Sequence, residues 1–373
     1  MQEGLVHIAR GSYFEAAPFF ERAGRASTGV QADYCWCLAH FGRALGHVET
    51  GSEEAARREL AAGFALVRKL EWIDFLRANG EAAARLCALA LEYGVESEFV
   101  RTIITQRQFE AQRPDLAAWP WPIRVRTLGR FEIEIDGVLL PLRGKGARKP
   151  LDLLQFIIAS GGSDVATGAA TFALWADLEG DQAKPAFNVA LHRLRKLLGS
   201  DAAIVLEFGK LSLDLKNVWV DCLAFESLVD QMNTLLTPAQ ARGAQRAQQL
   251  YVGNFLNGDE EHAWKMVYRS RLASKFKRVV RALAAYSADD SDATAARDLL
   301  ERAFELDPLA EDLARELMQL LIAQGETAAA LAVFERCKAT LARALGAQPA
   351  AATLQLAAGL RPAPAREYSM RNR

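Results

Sequence analysis

The sequence predicts a mainly α-helical protein with a small α+β domain set inside it, a winged helix-turn-helix flanked by tetratricopeptide-like helical repeats. Three observations carry this. Residues 1–118 and 218–360 are dominated by helix-forming residues in amphipathic runs. Residues 123–139 switch to alternation of apolar and polar side chains, the period of half-buried strands. Between them the order of elements is strands, three helices and a hairpin, with the basic residues gathered on the third helix.

Taken in order, residues 1–118 read as helices punctuated by Gly11, Gly24, Gly51, Gly80 and Gly94. The run Trp119-Pro120-Trp121-Pro122 stops this pattern, because two prolines in three residues disfavour continued helix. A boundary is therefore expected there, opening a domain over 119–217. Ile123 and Val125 alternate with Arg124 and Arg126, Phe131, Ile133 and Ile135 alternate with acids, and Asp136-Gly137 suits a tight turn. Pro150 fits the first turn of a helix whose apolar face is Leu151, Leu154, Ile157 and Ile158, ended by Gly161-Gly162. A short helix is predicted over 167–175 and a third over 184–198, stopped at Gly199. The segments 204–206 and 211–213 flank Gly209-Lys210 as a hairpin, with Lys210 at the tip. Residues 218–360 return to helix as a further domain, and 361–373 read as a frayed tail.

An internal repeat supports the helical arrays. Ala296, Leu300 and Ala303 recur as Ala330, Phe334 and Cys337 at an offset of 34 residues, the tetratricopeptide period. Gly325 falls where that repeat turns, and Gly11, Ala16, Phe20 and Ala23 echo the spacing near the start. Small residues let helices approach while the larger ones fill the holes beside them. Asp307-Pro308 is expected to cap and open a helix. A generic antiparallel helical bundle is the plainer alternative.

Composition narrows the function. The chain has 373 residues, a net charge of −1, 24% charged and 51% hydrophobic residues, which suits two to four domains and excludes a mainly disordered or uniformly basic chain. No stretch approaches the roughly 18 apolar residues of a spanning helix, and the start MQEGLVHIAR lacks a secretory pattern, so no membrane association is expected. Cys35, Cys37, Cys87, Cys222 and Cys337 are odd in number and scattered, which suits a cytoplasmic protein without disulfides. Cys35-x-Cys37 has no second pair, so buried thiols are favoured over zinc, and neither metal nor cofactor is expected. No nucleophile–base or metal-ligand spacing marks an enzyme.

The charge is placed rather than absent. Over residues 123–215, 12 Lys and Arg stand against 11 Asp and Glu, yet the cations gather at 143–149 and 184–196. On the third helix Phe187, Ala190, Leu191, Leu194 and Leu198 form an apolar back. The other side presents Asn188, His192, Arg193 and Arg195, the candidates for base-edge contacts in a major groove. Arg143, Lys145, Arg148, Lys149, Lys184 and Lys196 are candidates for phosphate contacts, with Lys210 in the wing. Trp175 reads as core, with an indole N–H that could also reach a phosphate. A solvated basic face is the plain reading of any one feature, and which residues read bases rather than phosphates stays open.

The winged helix resembles the DNA-binding domain of response regulators, on Leu174-Trp175 and on Phe187-Asn188-Val189-x-Leu191-x-Arg193-Leu194-Arg195-Lys196, although no receiver domain precedes it. The next segment resembles the bacterial transcriptional activator domain. Its marks are Val220-Asp221-x3-Phe225-Glu226, Tyr251-x-Gly253-x-Phe255-Leu256 and Leu306-Asp307-Pro308-Leu309-Ala310-Glu311, then Gly325, Ala330-Leu331 and Leu345-Gly346-Ala347-Gln348-Pro349. Together they look like activators of the antibiotic-regulatory-protein type. The first 118 residues resemble the repeat region of large ATP-dependent regulators, but no phosphate-binding loop occurs, and Gly144-Lys145-Gly146 is too short for one. The chain is either the C-terminal part of such a regulator or a form without the ATPase. The resemblance implies a cytoplasmic activator that binds double-stranded DNA, with the activator domain serving homodimerisation or contact with RNA polymerase. The alternative is a helical-repeat scaffold or sensor whose winged helix binds protein.

Overall fold

The computed structural model describes residues 2–74, 80–142, 148–178, 180–233, 235–258, 262–289 and 293–360. Backbone packing divides the chain into two units, residues 1–227 with 256–268 and residues 228–255 with 269–373. The expected tail at 361–373 lies outside the described residues.

The first unit opens with helices α1 (Gln2–Ala9), α2 (Tyr13–Arg25), α3 (Gly29–Glu49), α4 (Glu53–Lys69), α5 (Gly80–Glu92) and α6 (Ser97–Arg107). Their core is Ala16, Phe20, Leu38, Phe41, Leu60 and Phe64, with the Phe41 and Phe64 rings edge to face at 5.0 Å. Close approach of α3 and α4 depends on Gly63, where an added Cβ would stand 2.5 Å from the Phe41 ring. Arg43 joins three helices, reaching Glu59 of α4 at 3.0 Å and Glu21 of α2. Gly24 departs from expectation: it lies within α2, packed beside Trp36, rather than between helices. Cys35 and Cys37 are buried in α3, and the Cys37 thiol donates to the Gly63 carbonyl at 3.7 Å, so both are packing residues. Burial pushes the Cys37, Cys87 and Cys222 thiols far above the ordinary thiol range, which keeps them protonated.

After the Trp-Pro-Trp-Pro run come β1 (Ile123–Arg126), β2 (Glu132–Ile135) and β3 (Val138–Leu139), the latter two joined through Asp136-Gly137, both at positive φ. Helix α7 (Arg148–Ala159) follows, then β4 (Val165–Ala166), α8 (Thr167–Leu174) and α9 (Gly180–Leu197). The hairpin β5 (Ile204–Glu207) and β6 (Lys210–Leu213) completes a three-stranded antiparallel sheet in the order β4-β6-β5. This is the expected winged helix, with Leu154, Ile157, Leu191, Leu194, Ile204 and Leu211 at its centre.

One strand was not foreseen. β7 (Val218–Val220) pairs parallel with β1, with Ile123 opposite Val218, and closes a four-stranded sheet in the order β3-β2-β1-β7. The sheet therefore crosses position 217/218, and helix α10 (Asp221–Asp230) begins directly from it. All three β7 side chains are buried, so no alternation marked them. At the joint, the wholly buried Asp221 carboxylate accepts from the Thr127 N–H at 2.8 Å, the Leu128 N–H at 2.9 Å, the Thr127 hydroxyl at 2.7 Å and the Cys222 N–H at 2.7 Å. Burial pushes this carboxyl up and the four donors pull it back. The Leu256 and Asn257 N–H groups donate to the Thr127 and Gly129 carbonyls, both at 2.8 Å, gripping the same loop from another side.

The second unit contains α11 (Pro238–Leu250), most of α12 (Ala263–Asp289), α13 (Ala293–Leu306), α14 (Glu311–Ala323), α15 (Thr327–Leu345) and α16 (Ala351–Ala358). Ala296, Leu300, Ala303, Ala330, Phe334 and Cys337 are all buried, and Gly325 takes φ +80° in the turn between α14 and α15, so the repeat is a packing repeat. Asp307-Pro308 does not open a helix. It forms the turn before α14, whose N-cap is Ala310. Among the described residues no helix is long and apolar enough to cross a membrane.

Replacing Asp221 with Ala strands buried amide donors of the β1–β2 loop and is expected to cost about 3 kcal/mol or more. Urea melting should show an earlier transition, with amide exchange fastest to rise at Thr127 and Leu128. Unchanged melting and unchanged protection at those amides would refute the joint's importance.

Candidate nucleic-acid interface

Helix α9 sorts its side chains by face. Ala183, Phe187, Ala190, Leu191, Leu194 and Leu198 are buried against the domain. Lys184, Asn188, His192 and Lys196 recur every four residues and form one exposed stripe. Arg193 is exposed beside it, as is Val189, an apolar side chain 49% exposed to which the sequence assigned no contact.

The remaining predicted cations divide. Arg195 is half-buried, and its Nε and Nη2 donate to the Ile204 carbonyl at 3.0 and 2.7 Å. It is thus tied to the first strand of the wing rather than standing on the open stripe. Lys149 donates to the Leu174 carbonyl at 2.5 Å, at the C-terminal end of α8, and its ammonium lies 5.6 Å from the Trp175 ring centre. That position satisfies a helix-end carbonyl and suits a cation. Trp175 is only 5% exposed and meets Phe187 edge to face at 6.2 Å, so its ring seats α9 in the core. Arg148 is exposed at the first residue of α7. Arg143 and Lys145 lie outside the described residues.

The wing differs from expectation at its tip. The turn residues are Phe208 and Gly209, at φ +49° and +76°, and Lys210 is the first residue of β6. Positive φ at both central residues is the type I′ pattern, which favours Asn-Gly, and a bulky residue there costs about 1 kcal/mol or more. The Lys210 ammonium sits 3.3 Å from Asp164, and in register it faces Glu207. The hairpin is anchored well: the Gly209 carbonyl accepts from the Thr167 N–H at 2.9 Å, and the Leu213 N–H donates to Gly162 at 2.8 Å.

Between α8, the start of α9 and the wing lies a cleft of about 690 Å³, bordered by Phe172, Trp175, Lys184, Asn188, Leu206 and Gly209. The exposed α9 stripe and the wing tip thus open onto one side of the domain. Phe172 is 80% exposed, and Phe208 is fully exposed. Neither was singled out from sequence, where the turn was placed at Gly209-Lys210 and Phe172 fell within a short helix.

Comparison with known proteins gives three findings. Residues 220–361 match the family model described as the bacterial transcriptional activator domain. No curated protein matches. Among solved structures, Mycobacterium tuberculosis EmbR in complex with a low-affinity phosphopeptide aligns at 19% identity and TM-score 0.46, over 65% of this chain and 67% of that one. An assembly chaperone of RpL4, Acl4, aligns at 13% identity and TM-score 0.22, over 96% of this chain and 93% of that one. Neither structural likeness is strong enough to carry an argument about function.

Arg195→Ala should free the wing from α9. Amides of β5 and β6 are expected to exchange at least about tenfold faster, since a charge-assisted hydrogen bond of this kind stabilises by about 1.5–3 kcal/mol. Wild-type protection in that variant would show that Arg195 does not hold the hairpin.

Proposed function

We propose that the chain, whose residues 220–361 match the bacterial transcriptional activator domain, acts as a sequence-specific, DNA-binding transcriptional activator in the cytoplasm. The observation that carries the reading is the exposed stripe of α9, backed by a winged helix, in a chain whose net charge is only −1.

In this reading α9 enters the major groove. Arg193 pairs with guanine, Asn188 with adenine, and His192 contacts a further base edge. Val189, between them, meets a thymine methyl group. Lys184 and Lys196 bracket these residues and contact phosphates, as does Arg148 at the N-terminus of α7. Arg143 and Lys145 join this phosphate set on sequence grounds alone. Arg195, Lys149 and Trp175 act indirectly, by holding the wing, the end of α8 and the seat of α9 where the duplex needs them. The activator domain supplies contact with RNA polymerase or a second copy of the chain. The reading assigns the protein no catalysis and no cofactor.

The test is a titration of the full chain against duplexes selected from a random pool. Affinity should fall steeply as salt rises, through release of counterions from contacted phosphates. Lys184→Ala should weaken binding to all sequences alike and lower the salt slope by about one. Arg193→Ala should cost about 1–3 kcal/mol at the selected site and relax the preference at one base pair. A chain that selects no duplex, or binds without salt dependence while capturing a protein partner through the same face, would overturn the reading.

A further inference from the structure

The tip of the wing holds a residue that folding does not explain. Phe208 is fully exposed, so it contributes no buried surface, and it occupies a left-handed position that Asn or Gly would fill with less strain. The turn around it is nonetheless tied back to the domain, by the Gly209 carbonyl on the Thr167 N–H and by Lys210 on Asp164, while Arg195 on Ile204 anchors the far end of the hairpin. A strained, exposed aromatic on a rigid support is a feature to be explained by what it touches.

Its surroundings indicate the partner. The wing tip shares its cleft with Lys184 and Asn188 of the cationic stripe, which favours a polyanion. The wing itself carries no net positive charge, because its one cation, Lys210, faces Glu207 across the hairpin and lies 3.3 Å from Asp164. A contact made by this tip is therefore apolar, within a face whose long-range attraction is electrostatic. Double-stranded DNA combines these demands: phosphates along the rim, and stacked bases inside a minor groove about 6 Å wide, which admits a side chain but not a two-stranded ribbon.

We propose that Phe208 is a wedge, inserted from the wing into the minor groove beside the major groove that α9 occupies, where it partly unstacks one base step and bends the duplex. This rests on the DNA-binding reading above. Apolar wedges of this kind bend DNA by roughly 20–90°. The step entered is a flexible pyrimidine–purine step, TA or CA/TG, because these unstack most easily. It lies about half a helical turn, roughly five base pairs, from the bases read by α9. Specificity at that step comes from deformability, without any hydrogen bond to its bases.

The experiment uses the full chain and duplexes it selects from a random pool, with fluorophores at both ends to report bending and 2-aminopurine at the expected step to report unstacking. Wild type should shorten the end-to-end distance and brighten the 2-aminopurine. Phe208→Asn is the informative variant, since Asn suits the turn and preserves the fold. It should lose the bend, the brightening and the preference for a flexible step, and bind roughly ten- to a hundredfold more weakly, while the bases read by α9 stay the same. Phe208→Leu should restore much of the bend. If wild type selects no duplex, the DNA-binding reading fails and the wedge with it. If wild type binds straight DNA, or Phe208→Asn binds and bends like wild type, the wedge alone is overturned. The wedge is equally overturned if Phe208→Asn keeps binding and bending but loses transcription with purified RNA polymerase, which would make Phe208 a protein contact.

Discussion

The Asp221 carboxylate is the constraint on which the first unit depends. It is the first residue of α10, follows directly on β7, and satisfies four donors at the β1–β2 loop and its own helix start. A buried carboxylate is tolerable only when it is fully hydrogen-bonded, and here the donors are mostly backbone amides that would otherwise be orphaned. The pairing is reciprocal: neither the loop nor the acid is stable in place without the other. It fixes the end of the sheet that precedes the winged helix to the segment that follows it, so the strands before α7 and after β6 belong to one body. Residues 256–257 add backbone bonds to the same loop. Tyr268 closes the arrangement by donating to Glu226 at 2.8 Å.

This gives a physical meaning to residues that the sequence offered only as marks of a family. Asp221, Glu226 and Leu256 had no evident reason to stand at their spacings, and no pairwise spacing rule relates Thr127 to Asp221 across nearly a hundred residues of chain. The helices were legible because apolar residues recur at helical spacing: α9 buries one face with that period, and α7 shows it in sequence through Leu151, Leu154, Ile157 and Ile158, although the structure buries 150–158 throughout. β7 was not legible, because three buried residues in a row have no period to show. Asp307-Pro308 misled for a related reason. Its turn chemistry is real, but the turn is completed before α14 begins rather than at its first residue.

The basic residues teach a similar lesson about the site. Sequence divided the cations into candidates for base edges and for phosphates, by their place along the chain. The structure divides them by what each can reach. Lys149, Arg195 and Lys210 each find an oxygen within the domain, at Leu174, Ile204 and Asp164. Lys184, His192 and Lys196 remain on the exposed stripe, with Arg193 exposed beside it. Helical periodicity could assign the stripe, since every fourth residue shares a side, but it could not show that a carbonyl of β5 lies beside Arg195. Nor could it place the wing tip. A shift of the turn by one residue exchanges Lys210 for Phe208 at the tip, and with it a charged contact for an apolar one.

The two groups of cations are complementary. Under the proposed DNA-binding function, recognition by a helix and a wing requires that both keep their separation when a duplex arrives, otherwise ordering them would consume the free energy of contact. Arg195 bridges α9 to β5, and the Thr167–Gly209 bond ties the turn to the start of α8, so both elements are referenced to the same three-helix core. The strain at Phe208 is then sustained by bonds elsewhere in the hairpin rather than relieved by movement of the tip. A flexible wing would let that aromatic fold back onto Leu206 and the exposed Phe172 at the edge of the cleft. Held as it is, it stays in solvent, the most exposed of the apolar side chains, Phe172 and Val189 among them, that this face presents outward.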